Sequence, residues 1–442
     1  MAKTLIKNIL LSGATTADSW ILIEDTKIAA IGHGECDESG TAEIVDGQGA
    51  LAMPGAIDCH VHFREPGLTA KADISSESHA AVAGGVTSYC DMPNTRPATT
   101  TIEAWQEKME LAAEQSVANY AFFIGATNDN IDTLRSVDYT RVPGVKLFMG
   151  SSTGNMLVDA DSAIARIFES VNAIVAVHAE DQTIIDANTQ KEVAAYGDRS
   201  KVPVDRHSAI RSAEACYAST AKAVSLAKHY GRRLHICHLS TRHELGLLEK
   251  DTPLAQRLIT SEVSPHHLAW CDDDYARKGT RIKMNPAVKD KSTRDALREA
   301  LKSGQIDMVA TDHAPHLPED KEGGALTAAS GAPMVQFSLP WMLSHFDEVT
   351  VQKVMSENPA KIFHIDRRGL LVPGYYADIV LVRAVEPYTV TDSQVISKCG
   401  WTPLDGEILC HRVEQTWING RCVWRQGAFA DTHAAMPLYF NS

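Results

Sequence analysis

Eight short apolar segments alternate with helix-length segments through the middle of this 442-residue chain. Helical patterns at 101–115, 209–229 and 293–303 separate several of them. Strand–helix alternation over this length predicts a parallel sheet with helical crossovers, and eight repeats predict a closed (β/α)₈ barrel of the TIM type. The apolar segments begin at Gly55, Val86, Tyr120, Val145, Ile174, Leu234, Leu258 and Asp307.

Both ends of the chain are β-rich. Strand-like patterns occur at 20–24 and 27–32, and again at 377–382 and 413–424. Because compact domains often bring their termini together, the two ends are predicted to form one small β-sandwich domain. The predicted division is an N-terminal segment of the β-sandwich at 1–52, the barrel at 53–365 and a C-terminal segment of the β-sandwich at 366–442.

Polar side chains follow the predicted strands at the points where they end. His60 and His62 follow the first run, and His178, His238 and Asp312 end the fifth, sixth and eighth runs. The carboxyl ends of barrel strands meet on one face, so these side chains are expected to converge. A His-x-His pair alone is a weak sign of a metal. With three partners at equivalent strand ends it predicts a site for zinc or another first-row divalent ion.

Asp312 and Lys146 extend the chemistry of this predicted centre. The carboxylate of Asp312 suits a metal ligand and also a group that takes a proton from an attacking water and returns it to a leaving nitrogen. Lys146 lies in the fourth run, and its ammonium cannot bind a metal. A carbamate formed from its amine and carbon dioxide would be an anion whose two oxygens bridge two ions, an alternative to a simple pairing with a carboxylate.

Three further polar residues are candidates for substrate binding. Arg64 lies two residues after His62, so strand alternation predicts that it faces the same pocket, where a guanidinium binds a carboxylate through two hydrogen bonds. Asn94 follows Pro93, and Asn285 precedes Pro286. Either they cap turns, or their amides bind the substrate.

Composition excludes several functions. A net charge of −14 argues against broad nucleic-acid binding, which needs a positive surface. Nine scattered cysteines without a CxxC motif fit reduced thiols in a cytoplasmic protein. The beginning of the chain does not read as a signal peptide, and no apolar run approaches the roughly 20 residues of a membrane helix.

Five motifs together resemble those of the dihydroorotase family in the amidohydrolase superfamily. The resemblance covers essentially the whole chain, and the pair His-x-His-x-Arg-x-Pro-Gly and Met-Pro-Asn-Thr discriminates best. It implies a barrel with a β-sandwich made from both termini. It also implies reversible, metal-dependent cyclisation of N-carbamoyl-L-aspartate to L-dihydroorotate in pyrimidine synthesis. The motifs lie at 58–67, 91–97, 263–268, 283–286 and 310–316.

The resemblance also assigns roles by position. Asp312 would be a ligand and the general acid/base, and two Zn²⁺ ions would be bridged by a carbamylated Lys146. The family suggests a homodimer, and an association with aspartate transcarbamoylase is conceivable. The implied metal ligands are His60, His62, Lys146, His178, His238 and Asp312, and the implied substrate-binding residues are Arg64, Asn94, Asn285, His316 and, through its backbone, Gly331.

Two alternatives remain open on the sequence. Hydantoinases, dihydropyrimidinases and allantoinases use a similar barrel, and some dihydroorotase-like proteins are non-catalytic assembly partners. Arg64 and Asn94 argue against the first, and the complete ligand set argues against the second. The segment 312–333 is expected to be a mobile loop over the site, and Met334 and Gln336, where the family usually has glycine and glutamate, predict a lid that seats differently.

Overall fold

The two ends of the chain form one nine-stranded sheet, in a computed structural model that describes residues 3–150 and 156–441. Strand β5 joins the halves, because it pairs with β1 on one side and with the C-terminal strand β15 on the other. Its strands are β1 (Lys3–Leu11), β2 (Ser19–Glu24), β3 (Lys27–His33), β4 (Glu43–Asp46), β5 (Leu51–Pro54), β15 (Ile379–Thr389), β16 (Ile408–Ile418), β17 (Arg421–Arg425) and β18 (Ala428–Phe429).

A core shared by both ends explains why they pair. Isoleucines of β1 and β2 pack against side chains of β15 and β16, including the buried Trp417. Along β2 the burial alternates residue by residue, as expected for a strand with one face on a core. The β domain predicted from both termini is therefore confirmed as part of the fold class.

Each of the eight apolar runs forms strand structure, and every pairing between neighbouring strands is parallel. The third run divides into two strands around Phe123. The ring closes where the His62 N–H donates to the His313 carbonyl at 2.8 Å, next to the Val61–His313 bridge. The strands are β6 (Ala56–Val61), β7 (Val86–Asp91), β8 (Asn119–Phe122), β9 (Ile124–Gly125), β10 (Val145–Phe148), β11 (Val175–His178), β12 (Leu234–Ile236), β13 (Ile259–Val263) and β14 (Met308–Val309).

Helices cover the outside of this barrel. The helix expected from residue 209 begins at Ala213, because the Ser212 hydroxyl caps it by accepting from the Ala215 N–H. The helices are α1 (Ile74–Ala83), α2 (Ile102–Gln115), α3 (Ile131–Ser136), α4 (Asp161–Ser170), α5 (Gln182–Tyr196), α6 (His207–Ile210), α7 (Ala213–Tyr230), α8 (Pro265–Ala269), α9 (Tyr275–Lys278), α10 (Lys291–Lys302), α11 (Ser338–His345), α12 (Glu348–Gln352) and α13 (Asn358–Ile362). Within the described ranges, no helix is both long and apolar enough to cross a membrane.

A buried polar network joins the barrel to the β domain. Asp378, next to β15, forms an ion pair with Arg368 and accepts from the Asn419 backbone N–H at 2.8 Å. Asn119, at the start of β8, donates to Asp378 at 3.2 Å and accepts from the Asn419 amide at 2.7 Å. Because these groups lie away from water, each depends on the others for its hydrogen bonds.

We predict that Asp378→Ala lowers the free energy of unfolding by about 3 kcal/mol, since it leaves a guanidinium buried without its carboxylate. Urea unfolding followed by fluorescence measures this. The matched control is Asp161→Ala, which removes a carboxylate that is 82% exposed from its pair with Lys222. Its expected effect is small. Equal losses in the two variants would contradict the role given to the network.

Candidate metal centre

Five predicted ligands converge at the carboxyl end of the barrel. The His60 Nε2 and His62 Nε2 atoms lie 3.4 and 3.1 Å from the same oxygen of Asp312. The His178 Nδ1 and His238 Nε2 atoms lie 3.0 Å apart. All five side chains are buried, and with Phe148, Asn285, Ala314, Ser330 and Gly331 they line one small cavity.

These donors fit metal ions. Two ligand atoms that bind one ion at 2.0–2.1 Å in tetrahedral geometry lie about 3.3 Å apart, close to the separations found around Asp312. Histidine nitrogens and a carboxylate are the set that Zn²⁺ prefers. The buried Nδ1 of His238 has no hydrogen-bond partner in the described structure. An unpaired buried polar atom is costly, and such a ring orientation is expected where the histidine binds a metal ion.

Buried acceptors stand behind three of the four histidines. Glu262 contacts His60 Nδ1 and also accepts from His235 at 3.0 Å. Asn94 Oδ1 lies 2.7 Å from His62 Nδ1, and Glu180 Oε2 lies 3.0 Å from His178 Nε2. An acceptor on the far nitrogen fixes the ring orientation and the tautomer of a metal ligand. It thereby presents His60 Nε2 and His62 Nε2 to the cavity, while Glu180 lies at ion-pair distance behind His178.

Sequence reasoning missed Glu180 and Glu262. Glu262 is a charged residue inside an otherwise uncharged barrel strand, and Glu180 stands two residues after His178. Both are signals that the sequence itself carries. Asn94 was predicted to bind substrate, and the structure places its side-chain oxygen on a ligand histidine.

The charged and titratable side chains of this centre shift one another's pKa values. Burial and Lys146 would lower the pKa of His60, but Glu262, Cys237 and Asp312 outweigh them and raise it to about 10. Burial lowers the pKa of His62 to about 4. Burial would raise the pKa of Asp312, yet the two histidines hold it well below its usual range. Because a metal ion binds the neutral imidazole, its affinity is expected to fall as pH falls.

Lys146 lies within the same layer of the barrel. Its side chain is fully buried, and its Nζ lies 2.9 Å from the Cys237 sulfur. The described residues place no carboxylate within ion-pair distance of it. A buried ammonium without a counter-charge is costly.

Three site residues have left-handed backbone conformations: Arg64 (φ 69°), His238 (φ 35°) and Asp312 (φ 47°). Such conformations cost about 1–3 kcal/mol each in non-glycine residues and cluster at functional sites. The strand reasoning for Arg64 is corrected here, because β6 ends at Val61. Arg64 reaches the site through this left-handed turn and not by strand alternation.

Arg64 lines a second cavity of about 320 Å³ beside the ligand cavity. It is 2% exposed, its Nε donates to the Pro315 carbonyl at 3.1 Å, and its Nη2 lies 3.2 Å from His316 Nε2. Among the residues that the structure describes, it has no carboxylate partner at ion-pair distance. Burial lowers its pKa to about 10.

The remaining predicted residues lie at the lid. Asn285 lines the ligand cavity, and its Oδ1 lies 3.1 Å from His207 Nε2. Gly331 has φ 134°, and a side chain there would collide with the Ala314 carbonyl. Its N–H donates to the Lys283 carbonyl at 3.0 Å, and its own carbonyl accepts from Lys321 at 2.8 Å. Both backbone groups of Gly331 are thus already engaged.

The unusual residues after the lid have specific partners. The Gln336 amide donates to the Gln394 carbonyl and accepts from the Ile396 N–H, both at 2.8 Å. A glutamate could accept but not donate there. The Met334 N–H donates to His313 at 2.9 Å. This chain therefore seats its lid against the 394–396 segment through an amide.

Buried histidines and a carboxylate at the carboxyl ends of eight parallel strand runs are the arrangement expected of a hydrolase barrel with a metal centre. The amidohydrolase family profile matches residues 51–423. A dihydroorotase of Methanosarcina acetivorans is 36% identical over 423 residues, 92% of this chain and 88% of that protein. An allantoinase of Bacillus velezensis is 32% identical over 95% of this chain and 93% of its own length.

Among solved structures, an L-hydantoinase from Arthrobacter aurescens superposes with a TM-score of 0.91 at 27% identity, covering 99% of this chain and 100% of its own. The chain belongs to the amidohydrolase family, whose members are generally metal-dependent, and it is a cyclic amidohydrolase.

We predict that Glu262→Gln weakens metal binding about 10- to 100-fold, because His60 loses the carboxylate that orients it. Competition between the metal-free protein and a chelator for Zn²⁺ measures the affinity. Glu244→Gln is the matched control, since Glu244 is also buried and its carboxylate accepts from Thr220 and Thr241, which are not predicted metal ligands. Unchanged affinity in Glu262→Gln would contradict the orienting role.

Proposed function

We propose that this enzyme is a dihydroorotase, which reversibly cyclises N-carbamoyl-L-aspartate to L-dihydroorotate in pyrimidine synthesis. The observation that carries the proposal is Arg64, a buried guanidinium that lines the second cavity and has no carboxylate partner among the described residues. A buried charge is stable when an opposite charge reaches it. Both substrate and product of this reaction carry a carboxylate, whereas hydantoin, dihydrouracil and allantoin do not.

The surroundings of Arg64 favour the same class of substrate. Lys71 and Arg96 line the same cavity as Arg64, together with His316. In this proposal Arg64, Asn94, Asn285 and His316 hold the substrate, and Gly331 allows the lid backbone to approach it closely. The dihydroorotases that the chain resembles support the assignment, and the similarity to an allantoinase and a hydantoinase makes those activities the alternative outcome.

His60, His62 and Asp312 would hold one Zn²⁺ ion, and His178 and His238 a second, with carbamylated Lys146 between them. When bound, the ions would polarise the carbonyl under attack and lower the pKa of the attacking water. The carbamate would remove the uncompensated positive charge that Lys146 otherwise buries.

Asp312 is proposed as the group that moves the proton. Its low pKa keeps the carboxylate ionised, and it lies at the cavity beside His60 and His62. In ring opening it takes a proton from the attacking water and returns it to the leaving ring nitrogen. In cyclisation it takes the proton from the ureido nitrogen and passes it to the departing hydroxide, which leaves as water, as microscopic reversibility requires.

The proposal also covers the cellular compartment and the assembly. Nine free cysteines fit a reducing cytoplasm. The proposed assembly is a homodimer, and an association with aspartate transcarbamoylase is a further proposal. Neither is needed for the chemistry, because every proposed site residue belongs to one chain.

The zinc-loaded protein should interconvert N-carbamoyl-L-aspartate and L-dihydroorotate and discriminate against dihydrouracil, hydantoin and allantoin by about 10⁴ in kcat/KM, since those amides leave buried cations unpaired. Arg64→Met should lower kcat/KM for dihydroorotate about 10- to 100-fold through the lost charge-assisted bonds. Arg64→Lys keeps the charge but not the paired geometry, so its kcat/KM should lie between those of the wild type and Arg64→Met. Faster turnover of an uncharged cyclic amide than of dihydroorotate would overturn the proposal.

We predict that Lys146→Ala loses about a hundredfold or more of its activity and part of its bound metal, because the bridge between the ions is gone. Short carboxylates such as acetate and propionate should restore part of both, since their oxygens can occupy the place of the carbamate. The wild-type enzyme with the same carboxylates is the control and should not be activated. Full activity and metal content in Lys146→Ala would show that this lysine is no bridge.

A further inference from the structure

Lys71 touches no predicted metal ligand, yet it contacts His316, which lines the same second cavity. Its Nζ lies 2.9 Å from His316 Nδ1 and 3.0 Å from the Asp320 carboxylate. The lysine side chain is 27% exposed, whereas His316 is 1% exposed. A partly exposed cation thus reaches inward to one nitrogen of a buried imidazole.

This contact determines which nitrogen of His316 carries its proton. A lysine ammonium only donates, so Nδ1 must be the unprotonated acceptor. Burial, Arg64 and Lys71 hold the pKa of His316 well below its usual range, and the ring is neutral. The proton is therefore on Nε2, where it is donated to the Ser330 carbonyl at 3.0 Å.

The tautomer has a consequence for Arg64. Its Nη2 lies 3.2 Å from His316 Nε2, and both atoms carry hydrogens in this tautomer. Neither can accept from the other, so the Arg64 N–H group stays available. In the opposite tautomer Nε2 would accept from Arg64, and the guanidinium would be occupied by the protein.

We propose that Lys71 is a positioning residue for substrate binding: it holds His316 in the Nε2–H tautomer, in which Nε2 donates to the Ser330 carbonyl and cannot accept from Arg64, so that the guanidinium is left for the substrate carboxylate. The substrate named for this role rests on the proposed dihydroorotase function, whereas the tautomer rests on the structure alone. Lys71 acts through His316 and does not touch the reacting atoms.

The test compares Lys71→Met, which keeps length without a donor, with Lys71→Arg, which keeps a donor. Lys71→Met should raise KM for L-dihydroorotate about tenfold with kcat within about twofold, because ground state and transition state both contain the carboxylate. Lys71→Arg should recover most of the affinity. Asp320→Asn, which removes the charge beside Lys71 but keeps an oxygen to accept from it, should stay within about twofold of wild type. Equal KM in wild type and Lys71→Met would overturn the proposal.

A second measurement does not depend on activity. In ¹⁵N-histidine-labelled protein, with His316 assigned by its absence in His316→Asn, the two-bond ¹H–¹⁵N pattern should report Nε2–H in the wild type and a shift toward Nδ1–H in Lys71→Met. An Nδ1–H wild type would overturn the positioning role even if the enzyme turns over dihydroorotate. A wild type inactive on dihydroorotate but with the Nε2–H pattern would instead refute the proposed function.

Discussion

The closure of eight parallel runs into a ring is the constraint on which the site depends. It is made where the first and last barrel strands meet, through the His62 N–H bond to the His313 carbonyl and the two bonds that Thr311 donates to Asp58, at 3.0 and 2.6 Å. Without that seam, the His60-x-His62 pair and Asp312 would lie on opposite edges of an open sheet. Closure brings them within 3.4 Å of each other.

Closure also places charged groups in the barrel interior, where they cannot be solvated. Below the ligands the interior is small and apolar, with Cys59, Cys90, Ala121, Ala176 and Met308. Above it the buried carboxylate Glu262 is shared between His60, His235 and the backbone N–H of His238. One carboxylate therefore orients a ligand, satisfies a neighbouring histidine and supports the left-handed turn that carries another ligand.

Buried lysine side chains hold the lid backbone. Lys321 donates to the carbonyls of Lys283, Ala329 and Gly331, and Lys283 donates to Ser330. Burial and two arginines lower the pKa of Lys283 to about 7. The predicted ligand cavity is thus lined by four imidazoles and one carboxylate, whereas lysine side chains lie behind the Ser330–Gly331 backbone.

The sequence by itself determined the barrel, the β domain from both ends and the residues at the strand ends, because periodicity and strand order are local properties. It also singled out Arg64 by strand alternation, but in the folded protein a left-handed turn at this residue brings it to the site. Only the tertiary structure decided which distant side chains became partners: Glu262 with His60, 202 positions apart, and Lys71 with His316, 245 positions apart. Such pairings depend on strand register and loop paths after the ring has closed, and no local pattern encodes the distance between two segments that meet only in the folded protein.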